Sequence, residues 1–263
     1  MNAREPDPEA LRLGRTDAWV RAQVVPFAVF MGFMLLLQLF ASFFAWEHPS
    51  APWWRHWPEQ WVYPVQTLVT LGLLARWWKY YEFRWSLKWS LAGVLFGAVG
   101  IGFWLLPTVM YDRLGLSGET SGWQKWLGLA QRSKGFNPAE AFGEGTAAYW
   151  AALLLRFLRA VVVVALVEEI LWRSYIMRFA ADWEGDYWKR PFGEASWKTY
   201  GIVTGLFMLA HAPVDYAGAF IYGTLTYVLC IWSKNLGACV VMHAVANLLM
   251  GLFAVVYGKY GLW

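Results

Sequence analysis

A chain of 263 residues that is 59% hydrophobic and only 15% charged carries far less charge than the roughly 25% of a soluble domain. Its apolar runs approach the ~20 residues that a bilayer core demands, which excludes an ordinary soluble enzyme. The net charge of +4 is spread over loops rather than gathered in a basic domain, so no nucleic-acid partner is expected.

The pattern predicts an all-α, polytopic transmembrane helix bundle of about 7–8 spans. Residues 1–23 read as a polar tail with Arg4, Arg12, Arg15 and Arg21. The first span runs from about Val24 to Ala45. It is too long for a signal-peptide core and no small-residue cleavage site follows, so it stays as an anchor. A Pro- and Trp-rich loop leads to a short second span, Trp61 to Ala75, with Pro64 in its first turn, where proline is tolerated. After a basic aromatic loop comes a third span, Trp89 to Val109. Its Gly93, Gly97, Gly100 and Gly102 offer a small-residue face for close helix contact. A long polar insertion completes residues 24–146, the N-terminal spans with their extracytoplasmic loop.

Residues 147–257 hold the remaining spans. The fourth starts near Ala147 and runs on as an amphipathic segment to about Ala181. The fifth, Tyr200 to Ala212, is stopped by Pro213. The sixth is Tyr216 to Trp232, and Ser233-Lys234-Asn235 turns the chain into the seventh, Leu236 to Tyr257. Residues 258–263 are a short tail. No repeat period of 20–50 residues is present. Many of the twenty Trp flank the apolar runs, where amphipathic rings meet headgroups. Cys230 and Cys239 lack disulfide or metal spacing and read as packing residues. Leaving out Arg156 and Arg159, 14 basic residues fall on the side of the N-terminus, counting from Arg173 onward in the fourth segment, and 6 on the other, which predicts a cytoplasmic N-terminus. Arg156 and Arg159 could snorkel to the outer interface or line a water-filled cavity, and snorkelling is expected.

The fourth span contains Glu168, Glu169 and Arg173. A charge at bilayer depth costs about 2.5–3.5 kcal/mol even on the lenient insertion scale, so such residues mark function by default. With the N-terminus inside, the two acids are expected about one turn below the cytoplasmic surface. Glu169 and Arg173 are i, i+4 and are expected to pair. Glu168 points about 100° away and is expected to face a cavity as a base. His211 lies one turn after Phe207, and His243 one turn before Asn247, each on an apolar helix. Imidazole moves protons near neutral pH; an amide and an imidazole N–H together can hold an oxyanion. A base, a water-positioning group and an anion hole suffice to hydrolyse an acyl bond.

Glu168-Glu169-x-x-x-Arg173, Phe207-x-x-x-His211 and His243-x-x-x-Asn247, in this order on successive spans, resemble the three motifs of the CPBP intramembrane proteases. That group includes the type II CAAX prenyl endopeptidases and the Abi proteins. The resemblance covers about residues 150–257. It implies peptide-bond hydrolysis within the membrane, without a covalent acyl-enzyme. Glu168 and His211 would activate water, and His243 and Asn247 would stabilise the oxyanion, with Glu169, Arg173 and Phe207 supporting. The implied substrate is a membrane-embedded or membrane-anchored protein or peptide. The compact size and aromatic C-terminus also resemble the bacterial CAAX prenyl protease-related subgroup associated with exosortase systems. That implies an integral protein of the bacterial inner membrane. Glutamate-type and metal-dependent mechanisms both stay open: Glu168, His211 and His243 could hold zinc, but there is no H-E-x-x-H helix, and a metal-free site is favoured.

Other readings have less support. A non-proteolytic maturation or immunity-type scaffold would keep the fold without the chemistry. A proton-coupled carrier would also use intramembrane Glu and His, but the chain lacks the inverted repeat expected of one. Gly115-Leu116-Ser117-Gly118 matches the G-x-S-G of rhomboid serine proteases but sits in a polar loop and reads as a turn. Asp215, four residues after His211 and two after Pro213, could join the site or cap the sixth span, and capping is expected.

Overall fold

The computed structural model describes residues 8–46, 48, 50–116, 122–132 and 135–263, with backbone alone for 8–15 and 41. The first residues of the N-terminal tail, Lys134, and Ser117 and Gly118 of the G-x-S-G stretch lie outside the described residues. Among the described residues there are helices and turns and no strand.

Seven helices carry the architecture: α1 (Pro8–Leu39), α2 (Glu59–Arg76), α3 (Leu87–Arg113), α4 (Ala147–Ala181), α5 (Trp197–Leu209), α6 (Tyr216–Ser233) and α7 (Leu236–Val256). All seven expected spans are therefore helical. Five helical stretches are long and apolar enough to cross a membrane: Thr16–Leu39 of α1, α3, α4, Pro213–Ser233 and α7. The 13-residue α5 rises only about 20 Å, and α2 begins with Glu59 and ends with Arg76.

Local chemistry sets the helix starts. Oγ1 of Thr146 accepts from the N–H of Tyr149 at 3.2 Å and opens α4. Oγ of Ser196 accepts from Thr199 N–H at 3.0 Å and opens α5, and Oδ1 of Asn235 accepts from Ala238 N–H at 3.3 Å and opens α7. Each hydroxyl or amide satisfies a donor that the first helical turn leaves bare. The turn between α6 and α7 passes through Lys234 in the left-handed region, φ 49°.

The core is a sandwich of α3 against α6 and α7. Gly93 and Gly97 make it possible: a Cβ on either would sit 2.6 Å from Ala238 O or 2.5 Å from Met242 O of α7. A Cβ on Gly100 would meet the Tyr222 ring of α6 at 2.8 Å. These three share one helix face. Gly102, expected on that face, has nothing within 4 Å; its spacing turns it away. Cys230 and Cys239 are buried free thiols.

Helix α4 is not uniformly α-helical. Two π-helical segments, Leu158–Val164 and Ile170–Ile176, flank the α-helical Ala165–Glu169. Such wide turns are frequent at functional sites.

Candidate active site

Glu169 and Arg173 are fully buried. Arg173 Nε lies 3.3 Å from Glu169 Oε2, the pairing that an acid four residues before a base favours. The other carboxylate oxygen, Oε1, lies 2.8 Å from His243 Nδ1 of α7. With Glu169 ionised beside Arg173, its oxygen accepts and His243 Nδ1 carries the proton. The ring's Nε2 is then the nitrogen left for chemistry. Glu169 therefore does two things at once: it neutralises Arg173 and fixes the orientation of His243.

Glu168 is different. It is half-buried, forms no hydrogen bond or ion pair with any described residue, and lines a cavity of ≈ 190 Å³ together with Phe207, His211, Tyr222, His243 and Asn247. The one-residue offset from Glu169 sends the two carboxylates to different surroundings.

His211 lies two residues past the end of α5 rather than within a helix, in the turn before Pro213, and its Nδ1 lies 2.7 Å from the Phe207 carbonyl oxygen. A carbonyl can only accept, so Nδ1–H donates and Nε2 is bare. Phe207 is the hinge of the packing: its ring is 4.6 Å from His211, 5.9 Å from Trp172 and 6.0 Å from Tyr222. The Arg173 guanidinium lies 5.9 Å from its centroid. Asn247 donates one amide N–H to Ala160 O at 2.7 Å, a carbonyl in the first π segment, and keeps a second N–H.

Three parts of the site were not foreseen. Tyr222 lines the cavity, and its buried hydroxyl has no hydrogen-bond partner among the described residues. Its span carries no motif, so only packing brings it in. Trp104 of α3 also lines the cavity and stands edge-on to His211 at 5.1 Å. Leu262 reaches in from beyond α7.

Asp215 corrects an expectation. It makes no side-chain cap to α6. Its Oδ1 instead accepts from Trp104 Nε1 at 3.0 Å and Arg132 Nη2 at 2.6 Å, and the residue lines the cavity. A nearby cation outcompetes the helix N–H groups for this carboxylate. Arg156 and Arg159 also depart from expectation. Arg159 donates to Gln66 Oε1 at 2.8 Å and packs 4.0 Å from the Tyr63 ring centroid. Arg156 donates to the Trp263 carbonyl oxygen. Partners within the bundle hold both arginines, so neither needs to snorkel.

Glu168 lies 13 residues before Ala181, the last residue of α4, about 20 Å along the helix. Asp215, Arg132 and Leu262 place the cavity toward the end of the bundle that carries the 122–132 segment, away from the basic loops at 77–86 and 182–196. Glu168, His211 and His243 are of metal-ligand type. Among the described residues, however, no three His, Cys, Asp or Glu side chains are gathered so as to hold a metal ion.

Residues 150–249 match a family model described as type II CAAX prenyl endopeptidase Rce1-like. The matched segment holds Glu168, Glu169, Arg173, Phe207, His211, His243 and Asn247. The match supports the CPBP/CAAX protease family and, in general terms, CAAX intramembrane protease activity. Neither a curated protein nor a solved structure matched the chain.

Proposed function

We propose that this protein is an intramembrane endopeptidase that hydrolyses a peptide bond of a membrane-embedded or membrane-anchored substrate with an activated water. The observation that carries this reading is the uncommitted carboxylate of Glu168 in a cavity shared with two imidazoles and a carboxamide. A carboxylate so placed has no structural duty in the fold, and burial of an unpaired acid is costly unless it is used.

Glu168 takes one proton from water while the bare Nε2 of His211 accepts a hydrogen bond from the other O–H. The water oxygen bonds to the scissile carbonyl carbon. His243, steadied through Nδ1 by Glu169, presents Nε2–H in its imidazolium form to the developing oxyanion, and the free N–H of Asn247 joins it. Glu168 then delivers its proton to the leaving amine as the C–N bond breaks. The new acid gives up the second water proton to Nε2 of His211 and on to solvent, so the products are a carboxylate and an amine, with no acyl-enzyme. Arg173, Glu169 and Phe207 touch no reacting atom in this scheme and act by positioning.

The test compares wild type with Glu168→Gln on a cleavable membrane peptide in purified form. Loss of turnover with unchanged folding is expected; equal turnover overturns the reading. The scaffold alternative rests on the fully buried Glu169–Arg173–His243 cluster, which would brace the bundle without chemistry. It predicts that Glu168→Ala and His211→Ala variants fully complement a deletion.

A further inference from the structure

At the opposite end of the bundle from the catalytic cavity, a second cavity of ≈ 380 Å³ is lined by Arg84, Arg178, Lys189, Arg190 and Lys234, with Glu82 as the one acid in its wall. Three of these cations are committed. Arg178 donates to both oxygens of Glu82 at 2.9 Å. Lys189 pairs with Asp186, and Arg190 stands 3.4 Å from Glu194. Arg84 and Lys234 have no ionic partner among the described residues. These two unpaired cations, both exposed, border one concavity and leave an unbalanced positive field at its mouth.

The backbone at Lys234 adds a second observation. It is the only non-glycine residue with positive φ among those described. Glycine is the usual occupant of this helix-ending position, and a side chain there costs about 1–2 kcal/mol. Lys234 therefore stands where glycine would be the less strained choice. Gly193 lies against it: a Cβ there would sit 2.8 Å from Cys230 O and 3.4 Å from Lys234 Cα. The 188–193 loop can therefore close down on the turn and form the cavity wall.

The surroundings fix the level. Trp78, Trp85 and Trp232 at this same end are about half exposed, as aromatic rings at a headgroup boundary are. Trp188 and Phe192 line the cavity itself and offer apolar contact beside the cations.

We propose that this cavity binds a phosphate group at the membrane surface, with Arg84 and Lys234 as its principal ligands. The source is either the headgroup of an anionic phospholipid or a soluble phosphate. Basic pockets between helix ends accept such headgroups. No part of the proposed peptidase site takes part.

The experiment measures thermal unfolding of the full chain in nanodiscs of phosphatidylcholine alone, of phosphatidylcholine with phosphatidylglycerol, and of phosphatidylcholine with added inorganic phosphate. Wild type is compared with Arg84→Gln and Lys234→Gly. At about tenfold excess over Kd, binding raises Tm by roughly 3–5 °C. A rise with phosphatidylglycerol alone identifies the lipid headgroup; an equal rise with inorganic phosphate identifies a soluble ligand. Each variant should weaken binding about fivefold. Lys234→Gly should leave the Tm in phosphatidylcholine unchanged or higher, since glycine relaxes the turn, so loss of binding cannot be blamed on a damaged fold. The proposal is overturned if neither addition raises Tm, or if both variants respond as wild type does.

Discussion

Glu169 holds His243 across 74 positions of sequence, 2.8 Å from carboxylate oxygen to Nδ1. The same carboxylate pairs with Arg173 through its other oxygen. One buried acid therefore serves two helices, and removing its charge strands a fully buried guanidinium.

From this pairing, Glu169→Gln should destabilise the protein by about 3–5 kcal/mol, the usual cost of breaking one side of a buried ion pair. Thermal unfolding in detergent measures it. A loss below 1 kcal/mol would mean that Arg173 finds other partners.

Its neighbour should behave in the opposite way. Glu168 makes no bond to lose, so Glu168→Gln should leave Tm nearly unchanged while peptide cleavage falls about 10²–10⁴-fold, the range for removing a general base. The contrast between adjacent carboxylates is the informative result: similar Tm losses at both positions would contradict the division between a structural and a reacting acid.

Helix α3 offers a packing test. A methyl on Gly97 would press within 2.5 Å of the Met242 carbonyl oxygen, while one on Gly102 meets nothing. Gly97→Ala should cost about 1–3 kcal/mol through overpacking. Gly102→Ala should be neutral or stabilise by up to about 1 kcal/mol through helix propensity. Paired unfolding curves decide it.

Leu262 forms part of the cavity wall. Leu262→Ala should widen the cavity and favour bulkier side chains beside the scissile bond. A shift of kcat/KM between small and large residues by about 10-fold is expected, since a pocket of this kind discriminates by about 1–3 kcal/mol per methylene-sized change. An unaltered preference would place the substrate elsewhere in the cavity.

Tyr81, in the loop between α2 and α3, donates its hydroxyl to Ala22 O at 2.9 Å. Burial pushes its phenol well above the usual tyrosine range. The unfolded chain loses that proton near pH 10 and the folded one only at higher pH. The contribution is therefore complete below pH 10 and declines as pH rises above it. Tyr81→Phe should cost about 1 kcal/mol at neutral pH and flatten the decline above pH 10. Chemical denaturation across that interval shows whether the slope belongs to this residue.

The sequence by itself determined the helical bundle and the candidate site residues. Apolar runs of bilayer length have few other solutions, because backbone groups in hydrocarbon must bond within the segment. Glu168, His211, His243 and Asn247 stood out for the same reason: a polar side chain within such a run is expensive and therefore conspicuous. Helical spacing also separated Glu168 from Glu169 and paired Glu169 with Arg173. What helical spacing cannot encode is which helices face one another. Only the tertiary structure brought Glu169 to His243, turned Asp215 from a helix cap into a ligand of Arg132 and Trp104, and placed Tyr222 and Leu262 in the cavity. The cluster of cations at the far end was decided in the same way. These contacts join residues scattered over the chain, and their energies depend on burial and proximity, which a one-dimensional pattern does not carry.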